Sequence, residues 1–538
     1  MRAESSQLSQ LEGDGLPKTA LQELQECLKN NRVVSVTARK PLFIPISVVQ
    51  RKVDEYLERV LIEESIFDHE SIPNFTTRIS QDSPRLFAIL VDMKRENCIK
   101  QFIEEGIDDS NLPFVEPSGS DQAISALLTQ QRMPIRTFDG WDGPSLYNFK
   151  TKQYRVLSPV FHRGQHYEFD ELVILPFIKS DNVFEKDLKA FRAGAYGEVT
   201  QERIHPDHHE LEDPSAPGDK RKLVVAVKCL FYDKDFEPER KAYQALGTLS
   251  HPHLIDLLFT YRTTDGQRRK SHLVLPWADG NMKEYWERTP MPSLTPQYLI
   301  WWVKQMAGIT NALNHFHEFT NPKIGDSRYG RHGDIKAQNI LWFKDANIFK
   351  IADLGLANVR GIDSKSNVDP ATIVASPTYC PPDADRKSLI SRKYDIWSLG
   401  CLFSEIISYL VVGSQGIPEF SKQRLNDESE LGEFRGDFFY SSDLKTVKPS
   451  VSAWFKYLTE NPRCSNMMQD ILDLVITDMI VIQPIKRCED HDYLCAPSSR
   501  LEKAPMPTSQ PASSSNLQAC RARATPPLTA TKSYTWNC

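Results

Sequence analysis

The sequence predicts an α+β protein with a mostly helical N-terminal region, a strand-rich stretch after it, and a helix-rich remainder. Three observations predict this. From about residue 19 to 131 apolar residues recur at helical spacing. From about Tyr147 the pattern changes to short runs rich in β-branched and aromatic residues. Further on, Leu299, Trp302, Val303, Met306, Ile309, Leu313 and Phe316 lie on one face of a long helix.

In chain order, residues 1–18 are polar and are expected to be disordered. Residues 19–150 form the helical N-terminal region. Within it Val49, Val53, Leu57 and Val60 make one apolar stripe. Leu86, Ile89, Leu90 and Met93 make another, opened by Ser83-Pro84 as cap and first helical residue. Ile99, Phe102 and Ile103 extend it, and Gly106 stops it. Ser120–Gln131 reads as a further helix. Tyr154-Arg-Val-Leu, Val160-Phe161 and Leu172–Phe177 read as strands. After Leu494 the chain turns to Pro/Ser-rich low complexity, so residues 494–538 are expected to be disordered.

Composition narrows the class. With 538 residues, the chain is long enough for two or three domains. Charged residues are 25% and hydrophobic ones 40%, as in soluble globular proteins. The net charge of −6 is small and no basic stripe points to nucleic acid. Ten cysteines are scattered without a CxxC pair, which fits a reducing compartment rather than a disulfide framework or zinc site. The first residues lack the apolar core of a signal peptide. The apolar stretches Leu86–Met93 and Cys401–Gly413 are short or interrupted by Asp92 and Glu405, so neither is expected to span a bilayer. The expectation is an intracellular protein of cytoplasm or nucleus, off the membrane. His205, His208 and His209 lie in a segment rich in Asp, Pro and Gly without partner cysteines and read as an exposed loop, not a metal site. His315 and His317 fall on adjacent helical faces.

Chemistry concentrates in a series of motifs. His332-Gly333-Asp334-Ile335-Lys336-Ala337-Gln338-Asn339 is followed by Asp353-Leu354-Gly355, with apolar runs Ile340–Phe343 and Phe349–Ile351 between them. Upstream stand Phe191–Val199, with Gly194 and Gly197, and Leu223–Leu230, an apolar run holding Lys228. A lysine among β-branched residues is costly without an anionic partner. Phe236–Tyr243 offers Glu239 or Glu237, and His272–Gly280 reads as a strand ending in a turn. Ser376–Asp383, Asp395–Gly400 and Gln483–Arg487 complete the series.

In this order the motifs resemble those of eukaryotic-type serine/threonine protein kinases over roughly residues 170–493. The likeness is closest to a group of fungal protein kinases with a helical N-terminal extension and His-Gly-Asp in the catalytic loop. The resemblance implies a bilobal fold, a β-rich lobe and a helical lobe, that uses ATP and Mg²⁺. Asp334 would orient the attacking hydroxyl and Lys336 would offset γ-phosphate charge. Asn339 and Asp353 would bind Mg²⁺. Lys228 would hold phosphates and Glu239 would hold Lys228, with Glu237 as the alternative. Gly194 and Gly197 would let backbone approach phosphate, although Arg192 replaces the usual first glycine. Val199 and Ala226 would sandwich adenine, Leu275 would be the gatekeeper, and Trp277 and Ala278 the hinge contacts. Asp383 would pair with Arg487, and Asp395 would accept from the catalytic-loop backbone. A lysine at 336 is typical of serine/threonine kinases.

The implied function is transfer of the γ-phosphate of ATP to protein hydroxyls, in intracellular signalling. The competing reading is a pseudokinase scaffold, because Arg192, Gly333, Leu354 and Pro381-Pro382-Asp383 depart from common forms. A second is phosphorylation of small molecules, and the stretch Gly413–Pro449 decides for neither. Gly333 stands where many kinases carry the arginine that reads a phosphorylated activation segment. Activity is therefore expected not to need phosphate on Ser364, Ser366, Thr372 or Ser376, with Arg331 pointing elsewhere. The partner of the helical N-terminal region is left unnamed.

Overall fold

A computed structural model describes residues 17–37, 40–117, 126–179, 192–193, 197–212, 223–247, 251–265, 268–317, 320–321, 326–354, 358–361, 377–383, 392–427 and 436–488. Residues 1–16 of the expected disordered N-terminus, the expected disordered tail, Gly194 and the hydroxyls of Ser364, Ser366, Thr372 and Ser376 lie outside the described residues, whereas Lys18 is described and pairs with Glu26.

The N-terminal region is a small helical body. It holds α1 (Ala20–Asn30), α2 (Ile46–Glu63), α3 (Ile72–Asp82), α4 (Pro84–Met93), α5 (Ile99–Glu104) and α6 (Gly143–Lys152). A two-stranded ladder, β1 (Val33–Val34) with β2 (Leu42–Phe43), links the first two helices. Helix α1 opens with a capping box between Thr19 and Gln22. Val49, Val53, Leu57 and Val60 of α2 are all buried, as are Leu86, Ile89 and Leu90 of α4. Phe102, Phe114, Phe138 and Phe149 meet in one aromatic cluster of this core. Pro84 is the first residue of α4, but Ser83 makes no side-chain cap. The carboxylate of Asp109 accepts from Arg85 and Leu86 N–H instead, at 2.9 and 2.8 Å. Burial pushes the Asp109 carboxyl up to about 6. Gly106, at φ +75°, ends α5 in the left-handed region.

Four local expectations fail, wholly or in part, in this part of the chain. Residues 126–131 are not helical; Leu128 bridges Val115 and Pro134 across a turn. Gln153–Arg155 is a 3₁₀ turn rather than a strand, because Gln153 is buried and exchanges hydrogen bonds with the Phe114 backbone. Of Leu172–Phe177 only Phe177 enters a strand, and Val160-Phe161 contributes one bridge, Phe161 to His209.

The strand-rich lobe is a seven-stranded sheet. Its strands are β3 (His166–Phe169), β4 (Phe177–Ile178), β5 (Arg192–Ala193), β6 (Gly197–Ile204), β7 (Val224–Leu230), β8 (Phe259–Asp265) and β9 (Arg268–Pro276). Their order is β3-β8-β9-β7-β6-β4, with β5 also on β6 and only the β3–β8 pair parallel. Helix α7 (Asp233–Gly247) packs on one face. On the other face Phe161, Val225, Val227, Phe259, Tyr261 and Val274 form a second core. Phe43, Tyr154 and Ile174 join the helical body to this lobe.

His205, His208 and His209 belong to that junction and are not an exposed loop; His208 and His209 are each 1% exposed. Phe43 packs edge-on against the His205 and His208 rings, and Ile46 N–H donates to His208 Nε2 at 3.3 Å. Burial drags His208 down to about 4.

The helical lobe starts with β10 (Gly280–Asn281), α8 (Met282–Arg288) and α9 (Pro296–His317). Then come β11 (Thr320–Asn321), β12 (Asp326–Arg331), β13 (Ile340–Phe343), β14 (Ile348–Ile351) and β15 (Asn358–Gly361). Four helices close it: α10 (Lys393–Val412), α11 (Gly416–Leu425), α12 (Pro449–Thr459) and α13 (Asn466–Leu474). The stretch Cys401–Gly413 is part of a longer apolar helix than its sequence neighbours imply. By length and composition α10 could cross a membrane, yet every residue from Tyr394 to Val411 is buried inside this lobe. It is the core on which the lobe is built.

Candidate active site

Strand β7 carries Lys228 to the cleft between the lobes. Residues opposite one another in adjacent antiparallel strands share a face, and alternate residues along a strand return to it. Val199 pairs with Lys228, and Ala226 pairs with Leu275. These four therefore face the cleft together. Gly197 opposes Leu230, and a Cβ there would lie 2.4 Å from the Cys229 carbonyl oxygen. The glycine is required by close strand pairing, a reason the sequence did not offer. Trp277 N–H meets the Val224 carbonyl at 3.4 Å, which anchors the chain as it leaves β9 toward Ala278.

Lys228 is 7% exposed and meets two carboxylates, Glu239 Oε1 and Asp353 Oδ1, each at 2.7 Å. Glu237 turns the other way, to Arg240 and Arg262. Burial works against the Lys228 ammonium, and the Asp353 and Glu239 charges more than offset it, so its pKa lies above the ordinary lysine value. Burial pushes the Glu239 carboxyl upward against the pull of Lys228, and Asp353 adds to the rise, since two carboxylates share one ammonium. Tyr243, fully buried one turn beyond Glu239, stands in the same field. Sequence reasoning missed it; its position four residues after Glu239 on one helix was the available signal.

Across the cleft, β13 and β14 pair antiparallel, Ile340 opposite Ile351, and hold Asn339 and Asp353 at neighbouring ends. Asn339 Nδ2 donates to Asp334 O and Oδ2 at 2.8 and 2.9 Å. Lys336 Nζ meets Asp334 Oδ2 at 2.7 Å. Asp334 N–H donates to His332 Nδ1 at 3.2 Å, so His332 Nε2 carries the proton it gives to the Ala352 carbonyl at 3.0 Å. Below the loop, buried Asp395 accepts from His332 and Gly333 N–H at 2.8 Å each and from His317 Nε2 at 2.9 Å. Burial opposes the Asp395 charge, and the His317 bond and the Gly333 N–H win, so its pKa falls below the usual range. Gly333 takes φ +79°, which favours glycine.

Residues 216–494 match the protein kinase domain family, just over half the chain. The chain belongs to this family. Over its matched stretch it is 31% identical to a probable receptor-like protein kinase of Arabidopsis thaliana, covering 46% of this chain and 49% of the relative. It is 27% identical to GLH-binding kinase 1 of Caenorhabditis elegans, covering 49% and 67%, and to the serine/threonine-protein kinase Nek5 of Homo sapiens, covering 36% and 25%. The matches thus span about half the plant relative and a quarter of the human one. The family match begins after β3 to β6, so much of the strand-rich lobe of this kinase domain precedes it.

The kinase domain holds both ends of the stretch from Asp353 to Asp383 by packing. Strand β15 pairs with β12 from Arg331–Asn358 to Arg328–Gly361, and β11 extends that ladder. The two strands before His332 thus form a small sheet with residues 358–361. At the far end Tyr379 OH donates to Glu405 Oε2 at 2.5 Å, and Ser398 Oγ to the Tyr379 carbonyl at 2.9 Å. Arg487 donates to both Asp383 oxygens, and both residues are buried. Arg331 is buried with its guanidinium 5.4 Å from the Tyr394 ring centroid.

A kinase domain implies ATP and usually Mg²⁺, and the donor set fits a hard cation. Asn339 spends its amide nitrogen on Asp334, which leaves its amide oxygen for a metal. Asp353, at φ +64°, offers a one-third-exposed carboxylate to the cleft. Asn339 and Asp353 would hold Mg²⁺ there, and the ion would offset phosphate charge. A separate cavity of 730 Å³ opens on the opposite face of the sheet, beside Glu202, Cys229, Tyr261 and His272. Lys228, Asp334, Asn339 and Asp353 do not line it, so it is not the nucleotide site.

Proposed function

We propose that the chain is an ATP- and Mg²⁺-dependent serine/threonine protein kinase. The observation that carries this reading is Lys228 joined to Glu239 and Asp353 at 2.7 Å each, opposite an Asp334 held by Lys336 and Asn339. In this role Lys228 holds the α- and β-phosphates, with Val199, Ala226 and Leu275 against the adenine and Trp277–Ala278 along its edge. Asn339 and Asp353 hold Mg²⁺. Asp334 orients the substrate hydroxyl, and Lys336 turns from Asp334 to the γ-phosphate. Lys336 and relatives named as serine/threonine kinases favour serine and threonine acceptors. The helical N-terminal body and His-Gly-Asp favour kinship with fungal kinases of that architecture, acting inside the cell.

The test is incubation of the full chain with radiolabelled ATP, Mg²⁺ and a protein mixture, then phosphoamino acid analysis. Phosphoserine and phosphothreonine are expected. Label on tyrosine alone would overturn the acceptor class. No label despite nucleotide binding would favour the scaffold reading, to which Gly333 and Leu354 lend support.

A further inference from the structure

Helix α7 supplies Glu239, yet it is poorly equipped to hold itself in place. Pro238 lies inside it, immediately before Glu239, and removes one helical hydrogen bond. Its position must come from what it packs against. Phe236, Glu239 and Tyr243 are spaced i, i+3, i+7 and share one helical face, so whatever fixes Phe236 also fixes the direction of Glu239.

Phe236 is fully buried; Arg240 of α7 itself stands 6.0 Å from its ring centroid, and two groups from the sheet also cover the ring. The Arg262 guanidinium from β8 stands 4.5 Å from the ring centroid, and the His166 ring from β3 stands 5.6 Å away. Arg262 also reaches Asp233 at 3.4 Å and Glu237 at 3.4 Å on α7, Ser271 Oγ at 3.1 Å on β9, and Glu168 at 3.3 Å on β3. Its side chain is only 14% exposed, so the cluster is partly screened from water. Strand β3 itself is locked to β8: Glu168 lies opposite Arg262, and His166 Nδ1 meets Thr260 Oγ1 at 2.8 Å while its Nε2 meets Glu168 at 3.0 Å. It covers the sheet edge that β8 would otherwise expose. It also precedes residue 170, where the kinase likeness in the sequence begins, so it reaches the sheet from the N-terminal extension.

We propose that β3 and Arg262 form a strut through which the N-terminal extension holds α7 where Glu239 meets Lys228. Arg262, His166 and Glu168 are positioning residues; none touches nucleotide. The proposal rests on the kinase reading for its consequence, not for its geometry. Loosening the strut frees α7 and breaks the Glu239–Lys228 pair, which lowers turnover and leaves the substrate surface unchanged.

The test uses the full chain and three variants: Arg262→Met, Arg262→Lys and His166→Ala with Glu168→Ala. Amide exchange of residues 236–247 is read first, since it needs no catalysis. It should quicken by about tenfold in Arg262→Met, less in Arg262→Lys, and measurably in the β3 double variant, with exchange in α10 unchanged. With transfer assayed, kcat should fall about tenfold in Arg262→Met while peptide KM holds. Unaltered α7 exchange in a folded Arg262→Met protein would overturn the strut. If that variant does not fold, unaltered exchange in the β3 double variant would do so. A wild-type chain that transfers no phosphate would defeat the kinase reading, and the exchange result would still decide this one.

Discussion

Replacing Arg487 with methionine should strongly destabilise the helical lobe. Arg487 is 1% exposed and its partner Asp383 is 3% exposed. The guanidinium donates to both Asp383 oxygens, to the Val481 carbonyl at 2.8 Å and to the Lys393 carbonyl at 3.0 Å, and lies 5.1 Å from the Trp397 ring centroid. Methionine fills similar space, so little cavity is made. What it leaves is a buried carboxylate that has lost its Arg487 guanidinium and a Val481 carbonyl that has lost that donor. Breaking a buried pair from one side costs about 3–5 kcal/mol. At about 2–4 °C per kcal/mol for a domain of this order, the melting transition should fall by about 6–20 °C. Scanning calorimetry or fluorimetry on the full chain reads this. The double variant Arg487→Met, Asp383→Leu should recover most of the loss, because it leaves no charge unpaired. A fall under about 2 °C, or a double variant no better than the single, would be incompatible with a stranded buried charge.

Other expectations follow from the same contacts. Glu405 is buried and pushed up to about 7, so the native state keeps its proton where the unfolded chain has lost it. Stability from this group is then present below about pH 4.5 and lost as pH rises toward 7, by about 3 kcal/mol at full effect. The wild-type minus Glu405→Gln difference in stability should fall over that range, and a flat difference would contradict it. Gly197→Ala places a methyl against the Cys229 carbonyl and should cost about 1–3 kcal/mol and weaken ATP binding, seen by calorimetric titration. Mg²⁺·ATP at a hundred times its dissociation constant should stabilise the fold by about 2.7 kcal/mol, seen as a higher melting temperature. Phosphatase treatment should leave turnover largely intact, because packing of β15 and of Asp383 orders both ends of the activation segment; a hundredfold or greater loss restored by rephosphorylation would contradict it.

Much of the site could be read from the chain because its chemistry is written in short contiguous runs. His332–Asn339 and Asp353 each present their candidate groups within a few residues, so order and spacing were enough to single them out. Glu239 against Glu237 could not be settled by spacing; helix direction settled it, since Glu237 meets Arg262 and Glu239 meets Lys228. What stayed hidden was long-range. Asp109 caps α4 from outside the helix, and His317 joins Asp395 across two helices. His208 looked like loop chemistry until Phe43, far away in sequence, covered it. Strand and 3₁₀ forms of Tyr154–Leu157 share one apolar pattern, and only buried Gln153 chose between them. Helix α10 was the opposite case: it is apolar enough to cross a membrane despite Asp395 and Glu405, and burial rather than composition gives it meaning.

In the proposed reaction Asp334 orients a hydroxyl for phosphoryl transfer while Lys228 and Asp353 manage the nucleotide. This division of labour is separable by measuring the ATP dissociation constant and steady-state transfer side by side in wild type and Asp334→Asn. ATP affinity should be unchanged and kcat lower by about a hundredfold to ten-thousandfold. Wild-type turnover in Asp334→Asn would contradict it.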